Sequence, residues 1–141
     1  MKDRLTVLLV GHCVPDSIGL SRLVKRAAPG ARVRRVNSDR ALAKQASIAA
    51  LLLVNRALDG RFSAADGVEV IAGLTREGAS PAMVLVSNYQ DAQERAVTAG
   101  ARPGFGKRDL RDAETVRLLR AALGGAPHPT PGGESLPERA V

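Results

Sequence analysis

The sequence predicts an α/β domain built as a doubly wound, five-stranded parallel sheet with helices on both faces. Three observations lead there. Five short, mostly apolar runs alternate with five segments whose apolar residues recur at helical spacing, and parallel strands need such crossovers. The apolar residues are aliphatic: hydrophobic residues make up 45% of the chain, yet Trp is absent and there are only one Tyr and two Phe. Aliphatic runs of that kind suit strands buried on both faces. Finally, Gly, Pro, Asp or Ser stands at most of the junctions, where turns and helix caps require them. A length of 141 residues fits one domain.

The elements follow in order. Leu5 to Val10 reads as a buried strand stopped by Gly11. Asp16 or Ser17 is placed to cap the next helix, because a short side-chain oxygen satisfies an orphan backbone N–H. Ile18, Leu20, Leu23, Val24 and Ala27 give that helix its apolar face, Lys25 and Arg26 suit its carboxyl end, and Pro29-Gly30 stops it. Ala31 to Asn37 sets Val33 and Val36 among arginines, as expected of a strand nearer a sheet edge. Ser38 or Asp39 caps a short helix reaching about Ser47. Ile48 to Val54 is the most apolar run and reads as a central strand, and Asn55 to Asp66 reads as a loop.

Gly67 to Glu77 forms the third helix through Val68, Val70, Ile71 and Leu74, and Ala82 to Val86 the fourth strand. Asp91 caps a fourth helix ending near Ala99. Gly100 to Phe105 is a fifth strand, and Leu110 to Leu123 a fifth helix. From residue 125 to 141 the chain is rich in Pro and Gly with little to bury, so residues 1–124 are expected to fold and 125–141 to form a disordered tail.

Composition narrows the function classes. The formal net charge of +7 raises the expectation of an acidic partner, protein or nucleic acid, and equally fits a solvated Arg-rich surface. No helix-turn-helix, zinc finger or aromatic stacking platform is visible. The single cysteine, Cys13, forms no internal disulfide and belongs to no Cys cluster, so a reducing cytoplasm is the expected compartment. The apolar run after Met1-Lys2-Asp3-Arg4 is too short for a signal h-region, and no segment approaches a membrane span. No P-loop or catalytic triad stands in the chain, so no enzymatic activity and no cofactor are expected.

In doubly wound sheets the functional groups gather where strands end at their carboxyl edge. Here that edge collects Gly11 to Asp16, Asn55 to Asp59, Ser87 to Tyr89, and Gly106-Lys107. Three segments carry a resemblance to the receiver domain of bacterial two-component response regulators, over about residues 5 to 123. Leu51-Leu52-Leu53-Val54-Asn55 resembles the third strand that ends at the phosphoacceptor Asp. Ala82-Met83-Val84-Leu85-Val86-Ser87 resembles the fourth strand that ends in the switch hydroxyl. Gly100-Ala101 followed by Gly106-Lys107 resembles the stretch that ends in the phosphate-contacting Lys. The resemblance implies a flavodoxin-like (βα)5 receiver fold and a role in signal transduction through a partner.

The departures from that pattern decide the chemistry. The family's Mg²⁺-binding acidic pair is replaced by Gly11 and His12, and the acceptor by Asn55. A neutral amide is a poor nucleophile, and Mg²⁺ prefers hard carboxylate oxygens. Gly11, His12, Asn55, Ser87 and Lys107 therefore make up a degenerate phosphorylation site. Asp16 and Asp59 are the candidate replacements for the acceptor or, with Lys107, for ligand or anion contacts. His12 and Cys13 point opposite ways on an extended segment, so no metal site is expected from them alone.

The expected reading is a receiver-like module that acts by phosphorylation-independent protein–protein interaction. Its partner is an unidentified signalling protein, or a second copy docking through the fourth helix, fifth strand and fifth helix. Tyr89, Phe105, Arg108, Arg117 and Arg120 are the candidate interaction residues. Ligand, anion or metal sensing at the carboxyl edge, and nucleic-acid association through groups such as Arg32, Arg34, Arg35 and Arg40, stand as the alternatives.

Overall fold

The computed structural model describes residues 5–78 and 81–124. The expected tail therefore lies outside the described residues. Five strands, β1 (Thr6–Val10), β2 (Arg32–Val36), β3 (Leu51–Asn55), β4 (Ala82–Val86) and β5 (Arg102–Phe105), alternate with five helices. These are α1 (Val14–Ala27), α2 (Asp39–Gln45), α3 (Gly67–Arg76), α4 (Gln90–Ala99) and α5 (Ala113–Leu123). All strands are parallel, in the order β2-β1-β3-β4-β5. The doubly wound parallel sheet read from the sequence is the sheet observed.

The strand pattern follows from burial. β1 and β3 are buried at every position, which is why they are aliphatic between Thr6 at the start of β1 and Asn55 at the end of β3. β2 is an edge strand and carries exposed arginines between its buried residues. Two apolar layers result. Leu20, Leu23 and Val24 of α1 and Leu119 of α5 pack on Val7, Leu9, Leu51 and Leu53. Leu42 of α2, Ile71 of α3 and Ala92 and Ala96 of α4 pack on Leu8, Val10, Leu52 and Leu85. Each such fully buried aliphatic side chain contributes about 1.5–3 kcal/mol. α1 and α5 thus share one face of the sheet, and α2, α3 and α4 the other.

Several boundaries differ from the sequence reading, each for a local reason. α1 starts at Val14, before the expected Asp16 or Ser17 cap: Pro15 fits the first turn because it has no N–H to leave unpaired. Ile18 is half exposed and is not part of the apolar face. Ile48 is also exposed, in a 3₁₀ turn from Ala46 to Ile48, so β3 begins three residues later than its apolar run. Asp91 lies inside the first turn of α4, where its charge suits the helix dipole, and Tyr89 holds the cap position. Leu110 precedes α5 and packs against Gly19 of α1, with Asp112 at the cap position. Ser38 does cap α2, accepting from the Ala41 N–H at 3.1 Å, and Asp66 caps α3.

The loop between β3 and α3 is annexed by neighbouring strands. Arg61 N donates to Asn37 O at 2.8 Å, and Asp39 N donates to Arg61 O at 3.0 Å. Ser63 N adds a bond to the Asp39 carboxylate. At its far end Gly67 N donates to Arg56 O, bringing the start of α3 against the end of β3. A Cβ on Gly67 would lie 2.1 Å from Asn55 O, closer than atoms approach. Gly67→Ala is therefore expected to lower stability by about 1–3 kcal/mol through forced backbone movement. A fall in the urea midpoint at unchanged slope would report it, and an unchanged midpoint would contradict this packing.

Candidate functional site

The carboxyl edge of the sheet does bring Gly11, His12, Asn55, Ser87 and Lys107 to one end of the fold, and their bonding shows what that end can do. Gly11 follows β1 with a φ of 76°, a left-handed conformation that glycine adopts without strain. A Cβ there would lie 2.6 Å from Leu58 Cδ2. Leu58, from the β3–α3 loop, fills the space into which a side chain at position 11 would grow. The Gly11 carbonyl accepts from Asp59 N at 2.9 Å and from Asn55 Nδ2 at 3.0 Å.

Asn55 is buried at the end of β3. Its amide also donates to Ala57 O at 2.8 Å, so the amide nitrogen is directed at two carbonyl oxygens. A carboxylate has no proton for either bond and would set negative charge against both acceptors. Asn55 thus holds the loop down as a donor.

His12 is fully buried. Its Nε2 donates to Leu53 O at 2.8 Å, since a carbonyl can only accept, and this leaves Nδ1 as the buried unprotonated nitrogen. Burial pushes its pKa down to about 4, partly offset by the bond to Leu53. The His12 carbonyl accepts from Arg35 at 3.0 Å and from Asn37 at 3.1 Å. His12 is thus a strand-end hydrogen-bonding group, and Cys13 beside it is partly buried.

Lys107 pairs with Asp16 of α1 at 2.5 Å. The lysine bond, with a smaller contribution from Cys13, holds the Asp16 carboxyl below its usual range against the opposing cost of burial. Both side chains keep solvent access, so the pair contributes little to stability, about 0–1 kcal/mol. Asp59 is exposed, and its backbone, bonded to Gly11 and Asn37, is what the site uses.

Ser87 is buried, and its hydroxyl accepts from Tyr89 N at 3.1 Å. Behind it, Gln93 Nε2 lies within bonding distance of Leu85 O, Ser87 O and Phe105 O at 2.9, 3.1 and 3.2 Å. One side chain so ties α4 to the ends of β4 and β5. Tyr89 is exposed, with the Arg56 guanidinium 4.9 Å above its ring.

The expected interaction residues are not one surface. Phe105 is buried among α1 and α5 side chains and is unavailable to a partner from this position. Arg120 reaches the backbone carbonyls of Arg26 and Ala27 in α1, turning away from α4. Arg117 is exposed and paired with Glu114 of its own helix. Tyr89 and Arg108 remain exposed at the β4–α4 and β5–α5 junctions. Leu58, Asn37, Arg56 and Gln93, all central to this edge, were not singled out from the sequence, and Arg35, read there as a possible nucleic-acid contact, instead bonds the His12 carbonyl and the Ser17 hydroxyl. Only Leu58, an apolar residue inside a loop, carries a visible signal.

The Mg²⁺ that the resemblance implies does not fit these residues. Leu58 stands over the first acidic position, His12 is turned into the interior, Asn55 presents donors, and Asp16 is held by Lys107. Among the described residues no three His, Cys, Asp or Glu side chains converge as ligands. No described helix is long and apolar enough to cross a membrane.

Comparison with known proteins bears on the fold. No family model and no curated protein matches the sequence. Solved structures do match. The non-phosphorylated receiver domain of the stress response regulator RcsB from Escherichia coli is 15% identical, with a TM-score of 0.69 over 88% of this chain and 96% of that one. The signal receiver domain of a DNA-binding response regulator from Colwellia psychrerythraea is 12% identical, with a TM-score of 0.66 over 85% and 98%. A Burkholderia pseudomallei response regulator with a phosphorylated aspartic acid is 20% identical, with a TM-score of 0.58 over 86% and 66%. The chain has the receiver fold, flavodoxin-like and (βα)5 in order.

The acid limb of stability follows from two of these groups. The folded pKa of His12 lies below its unfolded value of 6.5, so the unfolded chain takes up the proton first as pH falls. Stability is therefore expected to drop between pH 6.5 and about 4, by a total on the order of 3 kcal/mol. Asp16 adds its loss at lower pH, as the medium passes its depressed folded value. Urea titrations at pH 7.5 and 5 should show a smaller difference for His12→Asn than for the wild type; equal differences would refute the assignment.

Proposed function

We propose that this chain is a receiver-fold signalling module that works by binding a partner protein, without accepting a phosphoryl group. One observation carries the reading: the residue at the acceptor position, Asn55, is a buried donor to Gly11 O and Ala57 O. Phosphotransfer needs an accessible carboxylate there with a metal beside it. The surroundings support the same conclusion. Leu58 excludes a side chain at position 11, and Lys107 is neutralised by Asp16. The Ser87 hydroxyl is engaged by Tyr89 N, so the fold is held in one arrangement with binding as its output.

Tyr89 and Arg108 offer exposed anchors beside α4 and β5, and a groove of about 410 Å³ lined by Gln90, Gln93, Val97 and Pro103 runs between those elements. Partner docking there fits a protein ligand better than a small one, because the groove is open and mixed in polarity.

Intact mass after incubation with Mg²⁺ and acetyl phosphate tests the proposal. The wild type is expected to gain no phosphoryl group. Asn55→Asp is expected to gain none either, and to lose about 1–3 kcal/mol of stability, because two hydrogen bonds are lost and a carboxylate is set against the Gly11 and Ala57 carbonyls. A stoichiometric adduct on wild-type Asp16 or Asp59 would overturn the reading.

A further inference from the structure

The two helical faces of the sheet differ in charge. α1 and α5 carry five cations, Arg22, Lys25, Arg26, Arg117 and Arg120, against two acids, Asp16 and Glu114. α2, α3 and α4 together carry four of each. Both acids on the α1–α5 side are already occupied, Asp16 by Lys107 and Glu114 by Arg117. Arg22, Lys25, Arg26 and Arg120 are exposed, and among the described residues none of them has a carboxylate in ion-pair range.

These four form one patch. Arg22, Lys25 and Arg26 are three and four residues apart, so they share the outward side of α1. Arg120 joins them across the helix seam through its bonds toward the Arg26 and Ala27 carbonyls at 3.4 Å. Arg26 is held in turn by the Leu110 carbonyl. A neutral carbonyl orients a guanidinium without cancelling its charge. The patch therefore presents four cations without a carboxylate partner, two of them, Arg26 and Arg120, oriented by carbonyls, at the cost of like-charge repulsion within one helix.

We infer that this α1–α5 patch binds the phosphate backbone of duplex nucleic acid without reading sequence. Arginine forks match phosphate oxygens, and a cluster of cations releases counterions when it meets a regular anionic lattice. The chemistry disfavours the other polyanions. A protein interface needs apolar or aromatic anchors at its centre, and a single-stranded ligand needs stacking platforms. The large exposed apolar residues among the described ones are Leu5, Val14, Ile18, Ile48 and Tyr89. None stands within the four-cation cluster. Val14 lies in the first turn of α1, and Ile18, one turn before Arg22, is a lone aliphatic side chain at the border of the cluster and not an anchor at its centre.

Fluorescence polarisation of the full chain with a labelled random-sequence duplex, between 50 and 200 mM salt, provides the test. Four phosphate contacts give an expected slope of log affinity on log salt of about −3.6. Arg22→Gln with Lys25→Gln leaves the seam bonds intact and should reduce the slope by about two contacts. Arg40→Gln with Lys44→Gln, on the opposite face, should change neither slope nor affinity beyond twofold. A melting curve matching the wild type confirms that each variant is folded. Absence of binding at 50 mM salt, or an unchanged slope for the Arg22/Lys25 variant, would overturn the inference. Equal displacement of the duplex by an acidic polypeptide of the same charge would also overturn it, in favour of a protein partner.

Discussion

The carboxyl edge of this protein depends on which way the protons of one amide point. Asn55 sits where the most buried strand of the sheet ends, and its amide nitrogen faces two backbone carbonyls. A donor at that position draws the following loop down onto the end of β1. Leu58 then comes to rest over Gly11, which must lack a side chain, and Asp59 closes the arrangement through its backbone. Each hydrogen bond contributes only about 1 kcal/mol net, so the arrangement rests on several acting together. Amide, glycine and leucine therefore form one packed and hydrogen-bonded unit.

The same fold in other chains holds a phosphorylated aspartic acid, as in the Burkholderia protein. Here the strand order and helical layers are those of the receiver fold, and the groups at the edge bond to one another and to the backbone. Lys107 turns to a carboxylate on α1, His12 turns inward to β3, and the Ser87 hydroxyl serves its own loop. A shared fold fixes where a site can form, and the residues at that place decide what chemistry it supports.

Much of the architecture was legible because it rests on periodicity. Buried parallel strands demand unbroken aliphatic runs, and β1, β3 and β4 supply them. The boundaries were less legible. Ile48 belongs to an apolar run by composition, yet it turns outward in a 3₁₀ turn that no pattern of apolarity records. Asp91 and Asp16 look like caps and sit one or two residues inside their helices, where the dipole accepts them as well. At the site, the identities of Gly11, His12 and Asn55 were legible. The bonding that holds them was not. Leu58, Arg35, Asn37 and Gln93 act across 8 to 47 positions of chain through contacts that only the folded backbone creates. The burial of Phe105 was not legible for a related reason: a strand residue has a position in sequence, but its direction is set by what packs behind it.

In an open parallel sheet the crevice for a ligand lies above the strand ends where the winding reverses direction, here between β1 and β3. The β3–α3 loop occupies the β1 side of that place, bonded to Gly11, Asn37 and Asp39. It is an occupant carried on the same chain. A tethered group of this kind competes at an effective concentration of about millimolar or higher, set by its short linker. Any free molecule seeking the crevice must first displace it, and thermal dilution never removes it. The chain has in this sense supplied its own permanent ligand.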